Sequence, residues 1–260
     1  FTMEADSLNC AILGESVQVE DEEFALFIKE VAKEMTVKAG QKCTAIRRVI
    51  VPAGKMQAVA AALQARLAAT VVGDPAVDGV RMGPLVGRDQ ARDVQARVDE
   101  LAQECEVLLG GGAHFPLTGC DNSGGAFYPP TLLRCDDPVN KRLVHEVEAF
   151  GPVSTLMPYG DFDEALALAA RGRGSLVAQL PGLVTGERER LVRHDVFAGR
   201  DDGGVDRVVQ EVRCGVVNDV DVGVLEHRLV AAVRLRDIQL IGLLAGEGLV
   251  AARTRQRERD

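Results

Sequence analysis

The sequence predicts an α/β layered protein. Three observations predict it. Short β-branched or apolar runs alternate with helical stretches over residues 1–178, and glycines and prolines separate them. Hydrophobic residues make up 47% of the 260, enough to build a packed core. A chain of this length holds one large or two modest domains, at about 100–200 residues each.

Each element has its own signal. Cys10 to Leu13 is apolar and strand-like. Acidic residues Glu20 to Glu23 precede Phe24, Phe27, Ile28, Val31, Ala32 and Met35, whose three- and four-residue steps predict an amphipathic helix with acids at its electropositive end. That helix gives out at Ala39-Gly40. Gln41-Lys42-Cys43-Thr44 follows, then a β-branched strand over Ile46 to Val51, stopped by Pro52. Met56 to Leu67 reads as a helix on Val59, Leu63 and Leu67, Val71 to Pro75 as a turn, and Arg88 to Gln103 as a further helix. A strand over Glu106 to Leu109 ends in Gly110-Gly111-Gly112. Phe127 to Leu133 is extended, because Pro129 and Pro130 exclude helix. Glu148 to Pro152 leads into a strand over Val153 to Met157, and Asp161 caps a helix running to Arg171.

The character changes near residue 179. From Gln179 to Asp260 there is no lysine, one proline (Pro181) and one aromatic (Phe197), with a weakly helical pattern over Leu225 to Val250 and a charged end from Arg253. The expected division is therefore 1–178 as the folded unit and 179–260 as an atypical tail, disordered or the product of a frameshift. Off-frame translation of a GC-rich gene favours these residue types; a second domain or a linker are the rivals. A chain that opens on Phe1 is expected to be a fragment.

Composition narrows the function classes. A net charge of −9 argues against a nucleic-acid surface. No apolar run approaches the roughly 20 residues a membrane helix needs, and no signal-peptide pattern opens the chain, so a soluble, cytoplasmic protein is expected. Cys10, Cys43, Cys105, Cys120, Cys135 and Cys214 form no C-x-x-C pair and have no histidine at ligand spacing, so neither a disulfide scaffold nor a metal site is expected.

Among these cysteines Cys43 stands apart. It lies where a helix stops at a glycine and a strand begins, with Lys38, Lys42, Arg47 and Arg48 nearby, and thiolates form where positive charge and access coincide. The bland alternative is an inert buried thiol. Cys10, Cys105, Cys120 and Cys135 are read as structural, and His145 as a non-catalytic histidine. Gly110-Gly111-Gly112 does not fit G-x-G-x-x-G and reads as a turn.

Four segments carry a resemblance. Phe1-Thr2-Met3-Glu4-Ala5-Asp6-Ser7-Leu8-Asn9, followed by Lys38-Ala39-Gly40-Gln41-Lys42-Cys43-Thr44-Ala45, resembles the aldehyde dehydrogenase superfamily, where a glutamate base precedes a G-Q-x-C nucleophile by several tens of residues. Phe127 to Leu133 is similar to the family's extended Y-x-x-P-T segment, and Glu148-Ala149-Phe150-Gly151-Pro152-Val153 to its E-x-F-G-P-V motif. The Glu-Ala-Asp-Ser-Leu-Asn wording resembles the branch that includes the dehydrogenase half of the bifunctional phenylacetate-degradation enzyme. The semialdehyde dehydrogenase of the aerobic benzoyl-CoA pathway is a near alternative. The resemblance covers about residues 1–178.

It implies the catalytic domain of the aldehyde dehydrogenase fold and NAD(P)-dependent oxidation of an aldehyde, expected to be a CoA-linked semialdehyde of aromatic-compound degradation, with NADP (or NAD). Cys43 is the implied nucleophile and Glu4 the base that activates water. Glu148 would bind the ribose hydroxyls on the nicotinamide side and Phe150 would pack beside the nicotinamide. A homo-oligomer is implied for the full-length enzyme. Rival readings keep Glu4 as a solvated residue, Glu148 as a partner of Lys141 or Arg142, and Phe150 as ordinary core.

The resemblance also has gaps. The family's dinucleotide-binding half lies mostly ahead of its glutamate motif, so most of that domain, with its oxyanion-hole asparagine and cofactor-contacting lysine, is not matched here. The expectation is that the isolated chain binds NADP weakly or not at all, which calorimetry tests. A cofactor-independent Cys/Glu esterase and a non-catalytic truncated remnant are the functional alternatives.

Overall fold

The computed structural model describes residues 7–112, 114–121, 125–173, 175, 178–179, 192–200, 206–214 and 226–231. Its centre is a six-stranded sheet. In chain order the elements are β1 (Cys10–Ile12), α1 (Glu22–Thr36), β2 (Arg48–Pro52), α2 (Met56–Ala68), α3 (Arg88–Leu101), β3 (Glu106–Leu109), β4 (Thr131–Arg134), β5 (Val153–Tyr159), α4 (Phe162–Ala170) and β6 (Ala178–Gln179). The strands lie in the order β3-β4-β5-β2-β1-β6. All neighbours are parallel except β3 and β4, which pair antiparallel at one edge.

Helices on both faces explain why the central strands are buried on both sides. Side chains alternate across a strand, and the core divides accordingly. Ala11, Leu13, Val49 and Val51 pack with Phe24, Phe27, Val31 and Met35 of α1 and Val59, Leu63 and Leu67 of α2. Cys10, Ile12 and Ile50 face the other way, into a cluster with Val94, Val98 and Leu101 of α3 and Ala165 and Leu168 of α4.

The α/β prediction holds, and the differences have local causes. The first α-helix ends at Thr36, ahead of the expected Ala39, because Val37–Gly40 tightens into a 3₁₀ turn with Lys38 and Ala39 at positive φ. The next strand starts at Arg48, later than Ile46: the Arg47 and Arg48 N–H groups both donate to the Asn9 carbonyl at 3.0 Å, before the ladder begins. Of the extended Phe127–Leu133 segment only the residues from Thr131 on join the sheet, as β4, since a proline nitrogen has nothing to donate. Asp161 caps α4 as expected, accepting from the Glu164 N–H at 2.8 Å.

Beyond the central sheet, β7 (Val192–Arg200), β8 (Asp206–Cys214) and β9 (Glu226–Ala231) pair antiparallel in a three-stranded sheet. The weak helical pattern expected from Leu225 is overridden at Glu226–Ala231, where pairing with β8 satisfies the backbone as strand. The rest of that pattern lies outside the described residues. Among the described residues, no helix is long and apolar enough to cross a membrane.

Candidate active site

The three segments that lead into β1, β2 and β5 arrive side by side, because those strands are parallel neighbours. They are Ser7-Leu8-Asn9, Gly40 to Arg47, and Glu148 to Gly151. The motif residues therefore collect at the amino edge of the sheet.

Cys43 sits on an exposed turn. The Lys42 N–H donates to the Gly40 carbonyl at 2.9 Å, and the Ala45 N–H to the Lys42 carbonyl at 3.2 Å. Gly40 makes the approach possible: its φ is +69°, and a Cβ there would stand 2.1 Å from the Gly151 carbonyl oxygen. Asn9, fully buried, donates from Nδ2 to the Cys43 carbonyl at 2.7 Å and to the Ala45 carbonyl at 3.0 Å. The Ser7 hydroxyl in turn donates to Asn9 Oδ1 at 3.0 Å.

Arg47 joins the Gly40–Cys43 segment to the Glu148 segment. Its guanidinium donates to the Gly40 carbonyl (2.8 Å), the Gly151 carbonyl (2.6 Å) and Glu148 Oε1 (3.1 Å), and lies 5.5 Å from the centroid of the Phe150 ring. Glu148 Oε2 accepts from the Ser7 N–H at 2.8 Å. Burial pushes the Arg47 pKa down, and the Glu148 carboxylate opposes the shift. A guanidinium stays protonated all the same. Glu148 thus pairs with Arg47, while Arg142 pairs with Glu146.

The basic residues expected around Cys43 are largely engaged elsewhere. Lys42 Nζ pairs with Glu34 at 2.5 Å. Arg48, also fully buried, donates to the carbonyls of Leu8, Leu168 and Ala169, the last two at the end of α4, where a cation suits the helix dipole. His145 belongs to that cluster: its Nδ1 stands 3.2 Å from Arg48 Nη1 and its Nε2 2.9 Å from the Pro138 carbonyl. An Arg donor and a carbonyl acceptor fix the neutral tautomer with hydrogen on Nε2, and burial pushes the His145 pKa down to about 4.

Cys10, Cys105 and Cys135 are buried, and the Cys105 and Cys135 thiols are hydrogen-bonded to each other. Cys120 is half-buried, with its thiol on the Thr118 carbonyl. Among the described residues, no group of three or more His, Cys, Asp or Glu is placed to hold a metal ion. Gly110, Gly111 and Gly112 all take φ near +80°, and the Gly111 N–H donates to Thr131 Oγ1: they form a turn. Glu4 lies outside the described residues.

Sequence reasoning brought forward Cys43, Glu148 and Phe150, and the structure gathers them. It missed Ser7, Asn9 and Arg47 as their connectors. A signal was present: Asn9 and the Arg47-Arg48 pair stand directly against apolar strands, where a polar side chain must find a partner.

Known proteins share the sequence and fold of this chain. The model of the aldehyde dehydrogenase family matches residues 4–193. The 3,4-dehydroadipyl-CoA semialdehyde dehydrogenase of Aromatoleum evansii is 50% identical over 180 residues, covering 69% of this chain and 35% of the relative. Protein MaoC of Klebsiella aerogenes is 52% identical over 100 residues, 38% of this chain and 28% of that protein. The chain thus spans about a third of the length of these curated relatives. Two solved structures share the fold at 24% identity and a TM-score of 0.58: a betaine aldehyde dehydrogenase of Staphylococcus aureus in complex with NAD+, and an aldehyde dehydrogenase of Bacillus cereus. Each is covered by 68% of this chain, which corresponds to 34% and 33% of those chains. The chain belongs to the aldehyde dehydrogenase family.

Proposed function

We propose that this chain carries the nucleophile and the general base of an aldehyde dehydrogenase that oxidises a CoA-linked semialdehyde to the acid. The observation that carries the reading is the exposed Cys43 on a turn held by Asn9, five residues after Glu4 and beside the Glu148 segment.

The Cys43 thiolate attacks the aldehyde carbon, and its own backbone N–H helps hold the charge that develops on oxygen. A nicotinamide dinucleotide, when bound, would supply the hydride acceptor, and Cys43 would then carry the acyl group as a thioester. Glu4 then takes a proton from water as the water attacks the thioester, and the acid departs with the thiol restored. Glu148 suits the ribose: a carboxylate offers about four lone-pair sites, and Arg47 and Ser7 occupy one on each oxygen. A site thus remains on each oxygen for one of two neighbouring hydroxyls. Phe150, whose ring centroid lies 5.5 Å from the Arg47 guanidinium, would pack beside the nicotinamide.

The CoA-linked substrate is favoured by the Aromatoleum evansii relative. NADP is the cofactor we favour over NAD. The test uses the full-length enzyme, with reduction of the nicotinamide followed optically. Cys43→Ala abolishes turnover, whereas Glu4→Gln retains a single-turnover burst and loses steady-state rate by about 10²–10⁴-fold. Undiminished turnover in Cys43→Ala refutes the reading.

A further inference from the structure

Asn9 has a larger part in the site than its place outside the motif core suggests. It is fully buried, and its amide nitrogen is within hydrogen-bond distance of two carbonyls of one turn, those of Cys43 and Ala45. Its side-chain oxygen accepts from Ser7, which fixes the amide's orientation. Its own backbone carbonyl accepts from the N–H groups of Arg47 and Arg48. A single residue therefore grips the nucleophile segment by side chain and main chain together, at the start of β1.

That grip has a directional consequence. Peptide units are planar, and none here is cis. Aiming the Cys43 carbonyl at Asn9 points the Thr44 N–H the opposite way, and aiming the Ala45 carbonyl at Asn9 does the same for the Ile46 N–H. The side chain thus sets the orientation of two peptide planes that follow the cysteine.

We propose that Asn9 is a positioning residue for the nucleophile: its amide, oriented by Ser7, locks the peptide planes of the Cys43 turn so that its N–H groups meet the oxygen of a carbonyl under attack. The proposal rests on the reading of Cys43 as the nucleophile. Oriented N–H donors act on a developing oxyanion, and losing one typically slows acyl transfer by about 10²–10³-fold. Alkylation of a thiolate develops no oxyanion. The two reactions therefore separate orientation of the turn from ionisation and exposure of the sulfur.

The test uses the 260-residue chain and p-nitrophenyl acetate. The thiolate forms an S–C bond to the acetyl carbon, the C–O electron pair leaves with p-nitrophenolate, and water later releases acetate. The burst rate is measured for the unsubstituted chain, Cys43→Ala, Asn9→Leu and Asn9→Ser. Iodoacetamide labelling across pH, read by peptide mass spectrometry at Cys43 with Cys120 as internal reference, runs in parallel.

The expected result is a Cys43-dependent burst that Asn9→Leu slows by about tenfold or more. Asn9→Ser, which keeps one donor, falls between. The rate and midpoint pH of Cys43 alkylation change by less than about twofold, because the thiolate itself is untouched. An unchanged burst in both variants overturns the proposal and leaves the nucleophile reading intact. A parallel fall in burst and alkylation overturns it as well, since the thiol itself has then moved. If neither variant folds by circular dichroism, Asn9 is a residue of the fold and the proposal fails. A burst that survives Cys43→Ala sinks the nucleophile reading, and this proposal with it.

Discussion

At the scale of single residues the site is a set of buried polar side chains that hold exposed chemistry in place. Arg47 and Glu148 are both almost fully buried, so breaking their pair leaves one charge without its partner. Arg47→Met is expected to cost about 3–5 kcal/mol in urea unfolding, and the double variant with Glu148→Gln should recover part of that loss. A double variant no more stable than Arg47→Met would show that the guanidinium serves its two carbonyls and not the carboxylate. His145 gives a pH signature. Its folded pKa of about 4 lies below the ordinary value of 6.5, so the neutral form is favoured on folding. That contribution is complete above pH 6.5 and is lost as pH falls from there through about 4; the shift bounds it at roughly 3 kcal/mol. Gln offers an acceptor and a donor without titrating, so His145→Gln should flatten the stability profile between those two pH values. An identical slope in the variant would remove His145 as its source.

At the scale of elements, the decisive features are where strands begin and helices end. Gly40 closes the 3₁₀ turn after α1 at a positive φ that side chains with a Cβ adopt only at a cost, with the Gly151 backbone filling the space of a Cβ. Gly40→Ala should therefore destabilise by more than the ~1 kcal/mol of conformational preference alone and should drag the Cys43 turn away from Asn9. Its expected mark is a lower thermal midpoint together with a slower Cys43-dependent burst. Asp161 is a simpler case: Asp161→Ala removes the cap of α4 and should cost about 1 kcal/mol without altering Cys43 reactivity. These elements were legible in the sequence because each has a local cause. Three- and four-residue spacing marked α1 and α2, Asp161 marked the start of α4, and prolines marked the extended stretch before β4. Boundaries near the site were less legible, since Val37–Gly40 and Ala45–Arg47 obey partners far along the chain.

At the scale of the whole molecule, the sheet explains why the Cys43 segment and the Glu148 segment meet although about a hundred residues separate them. β2 and β5 are parallel neighbours, and the segments that enter them are neighbours by the same fact. With helices packed on both faces, β2 and β5 should exchange their amide hydrogens slowest, and β3, at the edge, much faster. Hydrogen exchange read by mass spectrometry checks this; equal protection of β3 and β2 would contradict the layered order. Calorimetry with NADP addresses the other expectation at this scale, that a chain spanning about a third of its relatives binds the dinucleotide weakly.

The sequence by itself determined the α/β class, the succession of helices and strands as far as Arg171, and the family motifs around Cys43 and Glu148. Those properties depend on periodicity, on turn chemistry and on short motifs, all of which are local. Tertiary structure alone decided that Arg47 would bind Glu148, that Lys42 would turn to Glu34, and that Asn9 would hold the carbonyls of Cys43 and Ala45. A buried polar group must find its partner wherever strand order brings one, and strand order is not written in any local stretch of chain.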